Sequence, residues 1–277
     1  EELAASLGCT ARHLRRVFRE EYRVSPVEYL QTCRLLLAKS LLTDTGLSVL
    51  EAAMASGFGS LRRFNALFQA RYHLSPTSLR RQTGGAVKQE GQGISLFLGY
   101  RPPYGWDRLL AFLALRAIPG VEAVRENAYY RTVRLVKRDG AEVCGWIKAE
   151  NMPGQNALRV TVSASLLAVL PQTLARVKEL FDLSCDPNRI CETLQTMDAL
   201  KPGLCAPGVR VPGCFDPFEM AVRTILGQQI TVKGATTLAG RIARELGTPI
   251  RTEVNGLTHL FPTAQDICGL EEPVSAR

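Results

Sequence analysis

The chain has 277 residues, with 34 basic and 26 acidic side chains and a formal net charge of +8. Hydrophobic residues make up 46% and charged residues 22%, enough apolar material for real cores, which excludes a generically disordered chain. At ordinary domain sizes this length corresponds to roughly two domains, and no apolar run approaches the roughly 18 residues of a membrane-spanning helix. The positive excess favours an anionic partner such as nucleic acid or a membrane surface. Residue 1 is Glu, and no charged-then-apolar leader follows it. The eight cysteines (9, 33, 144, 185, 191, 205, 214 and 268) form no C-x-x-C pair. The three histidines, His13, His73 and His259, lie far from any cysteine pair, so no closed zinc site is indicated, and no metal or other cofactor is expected. Most of these cysteines are expected to be small buried hydrophobes of a reducing cytoplasm, the predicted location.

The first segment repeats itself at an offset of 50: Arg12 meets Arg62, Phe18 meets Phe68, Tyr22 meets Tyr72, and Ser25-Pro26 meets Ser75-Pro76. At an offset of 49, Ala4 meets Ala53 and Gly8 meets Gly57. Two copies of one supersecondary unit follow. In each, a small alanine allows close helix packing, a glycine suits the tight turn between two helices, and Thr10 or Ser60 caps the second helix. Leu14, Val17 and Phe18 share one face of that helix, as do Phe64, Leu67 and Phe68. The other face carries Arg12, Arg15, Arg16 and Arg19 in the first copy, and Arg62, Arg63 and Asn65 in the second. Ser25-Pro26 and Ser75-Pro76 read as a cap with a first-turn proline, and a helix from Pro26 to about Leu42 joins the copies. One arginine-bearing face alone reads as a solvated surface. Two with the same cap and turn point to helices that enter successive major grooves of double-stranded DNA, where Arg bonds guanine or phosphate. Residues 1–83 hold twelve basic and seven acidic side chains, so the charge is concentrated where the motif is.

Here the residues resemble a family. Ala53-Met54-Ala55-Ser56-Gly57-Phe58 and the ending Phe68-Gln69-Ala70-Arg71-Tyr72-His73-Leu74-Ser75-Pro76 are similar to the signature of the AraC-type double helix-turn-helix domain, including the Ada-type alkylation-response regulators. The resemblance covers residues 1–82. It implies base- or phosphate-facing roles for Arg12, Arg15, Arg16, Arg62 and Asn65, and a first unit that lacks its leading helix, as expected of a chain shortened at its N-terminus. Ala66 stands where some relatives place an arginine.

Residues 83–93 hold four glycines and no apolar period, and read as a flexible linker. Beyond it, 94–98 is a strand candidate, 102–106 a turn, and 107–118 a helix with Leu109, Leu110, Phe112, Leu113 and Ile118 on the buried side. Strands are predicted at 129–137, 142–149 and 157–163, with a hairpin turn at Asp139-Gly140, and a helix from about 166 to 181 closes an α+β unit. From Asp186 the pattern is helical. Asp186-Pro187 opens a helix to about Leu200, Asp216-Pro217 one to about Ile230, Thr231 one to about Leu246, and a last helix begins near Thr263.

This half resembles the bacterial 3-methyladenine DNA glycosylase II family, the AlkA type. The resemblance rests on Pro102-Pro103-Tyr104-x-Trp106, Phe112-Leu113-Ala114-x-Arg116-Ala117, Leu180-Phe181-Asp182-Leu183-x-Cys185-Asp186-Pro187, the run from Pro207 to Glu219, and Arg223-Thr224-Ile225-Leu226-Gly227-Gln228-Gln229-Ile230-Thr231. It implies a multidomain chain. An all-α double helix-turn-helix domain (1–82) and the linker (83–93) lead to an α+β domain like the TATA-binding-protein half (94–183). A partial all-α helix-hairpin-helix glycosylase core (184–277) follows. The implied activity is hydrolysis of the glycosidic bond of alkylated purines, which requires a flipped base, aromatic pocket walls and a carboxylate. By the resemblance Phe112 is a pocket aromatic, although its spacing alone favours plain helix core. Gln228 and Gln229 fall in the segment that approaches the gap left by the flipped base, and they read equally well as helix-end amides bonded to backbone. The family's Gly-x-Gly hairpin and the catalytic aspartate after it have no match here. Asp216 and Asp266 read as a helix cap and a first-turn residue. The chain is therefore expected to stop before that residue and to be inactive alone, with no catalytic residue assignable in it. The rival expectation is a transcription regulator whose C-terminal half binds damaged DNA without catalysis.

Overall fold

The computed structural model describes residues 1–82, 93–137 and 139–269. The chain divides into two compact units, Glu1–Lys88 and Gln89–Arg277. The expected linker lies, except for Gly93, outside the described residues.

The first unit is helical: α1 (Glu2–Ser6), α2 (Ala11–Tyr22), α3 (Pro26–Asp44), α4 (Val49–Ala55), α5 (Leu61–Tyr72) and α6 (Pro76–Gln82). Local chemistry marks the ends. Thr10 accepts the His13 amide at 3.2 Å and Ser60 the Arg63 amide at 3.4 Å. Ser25 with Glu28, and Ser48 with Glu51, form reciprocal capping boxes. The amides of Ser25 and Ser48 hold the two glutamates below the usual carboxylate range. Gly8 and Gly57 turn the chain at φ +65° and +89°, where a Cβ would be strained. The repeat extends to residues the sequence pattern does not mark: Arg23 and His73, also 50 apart, both end their helices in the left-handed region.

The two copies are buried unequally. Ala4 and Ala53 are buried as expected, and Phe58, Phe64 and Phe68 fill the core with Leu35, Ala38, Leu41 and Leu42. Helix α2 has no buried residue. Val17, expected on the apolar face, is 42% exposed, and Phe18 instead clusters with Tyr22 and Tyr29 at ring distances of 4.5 and 5.6 Å.

The second unit is built on an antiparallel sheet of β1 (Gly93–Gly99), β2 (Glu122–Arg125), β3 (Ala128–Val136), β4 (Glu142–Met152) and β5 (Ala157–Ser163), in the order β1-β5-β4-β3-β2. Around it lie α7 (Trp106–Ala114), α8 (Leu170–Leu180), α9 (Pro187–Leu194), α10 (Pro217–Leu226), α11 (Val232–Leu246) and α12 (Ala264–Cys268). Side chains alternate across the sheet. Tyr129 meets Phe181 edge-on at 5.6 Å on the face beneath α7 and α8, while Tyr130 packs with Val254 and Leu257 on the other.

Several elements differ from the sequence reading. Strand β2 is an additional short edge strand. The helix expected from 166 starts as a 3-10 turn, Ala164–Val169, because Pro171 fits the first turn of α8 and not a helix interior. Helix α9 stops at Leu194 and gives way to a 3-10 turn. Phe112 is not on the buried side of α7: it is 40% exposed. The cysteines are not buried hydrophobes either. All eight are free, six partly exposed and two, Cys33 and Cys268, exposed.

Candidate nucleic-acid interface and candidate base pocket

In the first unit, Arg12 and Arg62 occupy the second position of α2 and α5, one residue past each helix start. Arg12, Arg15, Arg16, Arg62, Arg63 and Asn65 are all exposed. Arg16 pairs with Glu20 at 2.9 Å, with both side chains about 60% exposed. A surface pair of this kind is worth roughly 0.2–1 kcal/mol, so the guanidinium is easily released to another anion. The side chains of the other five make no hydrogen bond or ion pair among the described residues. Among the described residues, the Arg16–Glu20 pair is thus the one ion pair these six side chains make.

The second unit contains a cavity of about 290 Å³. Phe112, Leu113 and Arg116 line it from α7 and its end, Met220, Arg223 and Thr224 from α10, and Ala235, Thr236 and Ala239 from α11, with Pro212 to Asp216 between. Phe112 is therefore a half-exposed cavity wall, not helix core. The Arg116 guanidinium covers its ring at 3.7 Å from the centroid. Gly227 and Ile230 line the same cavity, so the turn holding Gln228 and Gln229 lies at its edge. Both glutamines are exposed, and their side-chain amides bond no backbone among the described residues. Gln229 adopts φ +60°, an uncommon conformation for a residue with a Cβ.

The cavity floor is charged, and the sequence pattern did not reveal it. The Arg131 guanidinium donates to Glu219 at 2.7 Å and lies 3.8 Å from Glu122. Arg223 donates to Glu122 at 3.0 Å, to Glu219 at 3.1 Å and to the Arg116 carbonyl at 2.6 Å. Tyr129 and the Ile118 amide also donate to Glu122. Burial pushes Glu122 up, but Arg223, Arg131 and these donors outweigh it and hold the carboxyl below its usual range. Burial dominates at Glu219 and raises it. Both arginines are held above their ordinary value because the neighbouring carboxylates outweigh their burial. One sequence sign is the i,i+4 pair Glu219 and Arg223. Arg131 sits inside the apolar run YYRTVRLV, where a charge signals a buried partner.

Asp216 caps α10, accepting the amides of Phe218 and Glu219 at 2.9 and 3.0 Å, and pairs with Arg176 at 3.2 Å. Every carboxylate lining the cavity among the described residues, Glu122, Asp216 and Glu219, is thus committed to a cation or a helix end.

Residues 3–82 match a family described as a helix-turn-helix domain, and residues 95–216 match the AlkA N-terminal domain. Over 273 residues the chain is 32% identical to the "Probable bifunctional transcriptional activator/DNA repair enzyme AlkA" of Mycobacterium tuberculosis (strain ATCC 25618 / H37Rv), covering 97% of this chain and 54% of that protein. It is 37% identical over 150 residues to "DNA-3-methyladenine glycosylase 2" of Escherichia coli (strain K12), covering 54% of this chain and 50% of that one. The first unit is 37% identical over 82 residues to "HTH-type transcriptional regulator GlxA" of Rhizobium meliloti (strain 1021), covering 30% of this chain and 25% of that one. The chain spans about half the length of the first two relatives. It joins an AraC-type helix-turn-helix domain, residues 3–82, to an AlkA N-terminal domain, residues 95–216.

Proposed function

We propose that the protein acts in repair of alkylated DNA: it docks on double-stranded DNA through α2 and α5, and its second unit contributes the pocket that receives an alkylated purine for excision. The observation that carries this reading is the cavity walled by Phe112 and the ends of α10 and α11, on the half of the chain that matches AlkA. A cationic methylated purine stacked on an aromatic ring gains roughly 0.5–2 kcal/mol beyond its apolar contact. In this reading Gln228 or Gln229 fills the gap in the duplex, and residues 94–183 form the TATA-binding-protein-like half beside the start of a helix-hairpin-helix core at 184. In this reading the described carboxylates of the cavity stay bound to cations and a helix end, and none of them is given the catalytic role. No metal or redox cofactor is required by this chemistry, and a cytoplasmic protein with access to DNA suits it.

The DNA-docking part has its own test. Arg12→Ala and Arg62→Ala together are expected to weaken duplex binding about tenfold to a hundredfold, and the salt slope falls by about 1 for each phosphate that is no longer neutralised. Binding titrations at three salt concentrations measure both quantities. Unchanged affinity and slope in the double variant would remove α2 and α5 as the docking helices. A second reading is favoured by the committed carboxylates: a regulator whose second unit holds damaged DNA without cutting it. It keeps the binding results and loses base release.

A further inference from the structure

One pair of side chains lies outside both candidate sites. Cys191, in α9, and Cys205, in the segment after the 3-10 turn Gln195–Ala199, hold their Sγ atoms 3.5 Å apart. A disulfide needs about 2.05 Å between sulfurs, so closure takes a shift of about 1.5 Å. The segment is suited to that shift: Cys205 lies outside helix and strand, two residues after Gly203 at φ +85°. It is also aimed at its partner. The Asp198 carboxylate accepts the Cys205 amide at 2.8 Å, and the Cys205 thiol lies 3.9 Å from the Cys191 carbonyl. Both cysteines are partly exposed, so a small reagent reaches them. No other cysteine pair is held together among the described residues.

We propose that Cys191 and Cys205 are a thiol–disulfide modification site that reacts with small-molecule disulfides of the oxidised-glutathione class. One thiolate attacks the reagent and displaces a small thiol, giving a mixed disulfide; the second thiolate attacks the protein sulfur and displaces the other small thiol. One Sγ–Sγ bond forms and the reagent's S–S bond breaks. Two protein thiols are oxidised by two electrons, and the reagent carries away both electrons and both protons as two thiols. The bond closes the excursion between α9 and Cys205, which carries Leu200, 83% exposed. From Cys205 the chain runs on to Gly208, whose carbonyl accepts the Gly105 amide at 2.8 Å, and then to the cavity wall at Pro212–Asp216. Oxidation thus stiffens the lead into that wall.

The test equilibrates the 277-residue chain with oxidised and reduced glutathione over a range of ratios, followed by tryptic mass mapping. Both cysteines fall in one peptide, 190–210, because Lys201 precedes Pro202. The expected result is loss of two hydrogen masses from that peptide, with both cysteines becoming resistant to alkylation together. Chymotryptic cleavage after Leu200 slows about fivefold or more in the oxidised chain. C191S and C205S each give a single glutathione adduct and no protection. Glutathione adducts at both positions without the internal bond, or two alkylatable thiols across the range, would overturn the site. A bond that leaves cleavage at Leu200 unchanged would overturn the stiffening.

Discussion

Arg131→Met is expected to lower the unfolding free energy of the second unit by about 3–5 kcal/mol at neutral pH, because it leaves Glu219 buried without its main counter-charge and Arg223 shared between Glu122 and Glu219. Those carboxylates have side chains 4% and 5% exposed, and Arg223 alone cannot neutralise both. The pH dependence distinguishes this cause from a packing defect. In the wild type, Glu122 is depressed below its ordinary value, so it contributes stability above that value and loses it as pH falls through the folded pKa. In the variant, Glu219, already raised by burial in the wild type, rises further, and Glu122 loses part of what holds it low. The deficit is then largest near neutral pH and shrinks as pH falls below about 5. Urea denaturation followed by tryptophan fluorescence reads this unit alone, since the two tryptophans, Trp106 and Trp146, both lie in it. A deficit below about 1 kcal/mol, or one that does not change with pH, would contradict the role given to the network.

The second large effect separates the two helix-turn-helix copies. Phe68→Ala removes a fully buried ring that touches Phe64 and Tyr72 at 5.4 and 4.7 Å, and should cost about 3–5 kcal/mol. Phe18→Ala, at the equivalent place in the first copy, should cost less than half of that. Its ring is partly exposed, and its neighbours Tyr22 and Tyr29 are 55% and 47% exposed. Loss of helical circular dichroism in urea measures both variants. Equal costs would mean that the copies are buried alike.

That asymmetry shows where the sequence was informative. The repeat made Ala4, Ala53, Gly8, Gly57 and the two Ser-Pro caps readable, because each answers a local requirement of turn, cap or close packing. How deeply each copy is buried depends on what packs against it, and local spacing carries no sign of that. Val17 and Phe112 are cases of the same kind. Both sit at apolar positions of a helical pattern, and both are half-exposed. For Phe112 the exposure supports the pocket reading over the core reading. The Glu122–Arg131–Glu219–Arg223 network joins positions up to 101 residues apart, so only tertiary structure assembles it. The nearness of Cys191 and Cys205 depends on where α9 ends, and the sequence pattern placed that end some six residues too late.

The most direct measurement is release of methylated purine from duplex DNA by the full-length product of the gene, compared with its Phe112→Ala variant and with residues 1–277 alone. Release by the full-length protein is the expected result. Phe112→Ala should lower it about three- to thirtyfold, as expected when a cationic base has one stacking partner fewer. Residues 1–277 alone should bind duplex and release no base. No release by the full-length protein, with duplex binding intact, would contradict the account and leave the non-catalytic regulator.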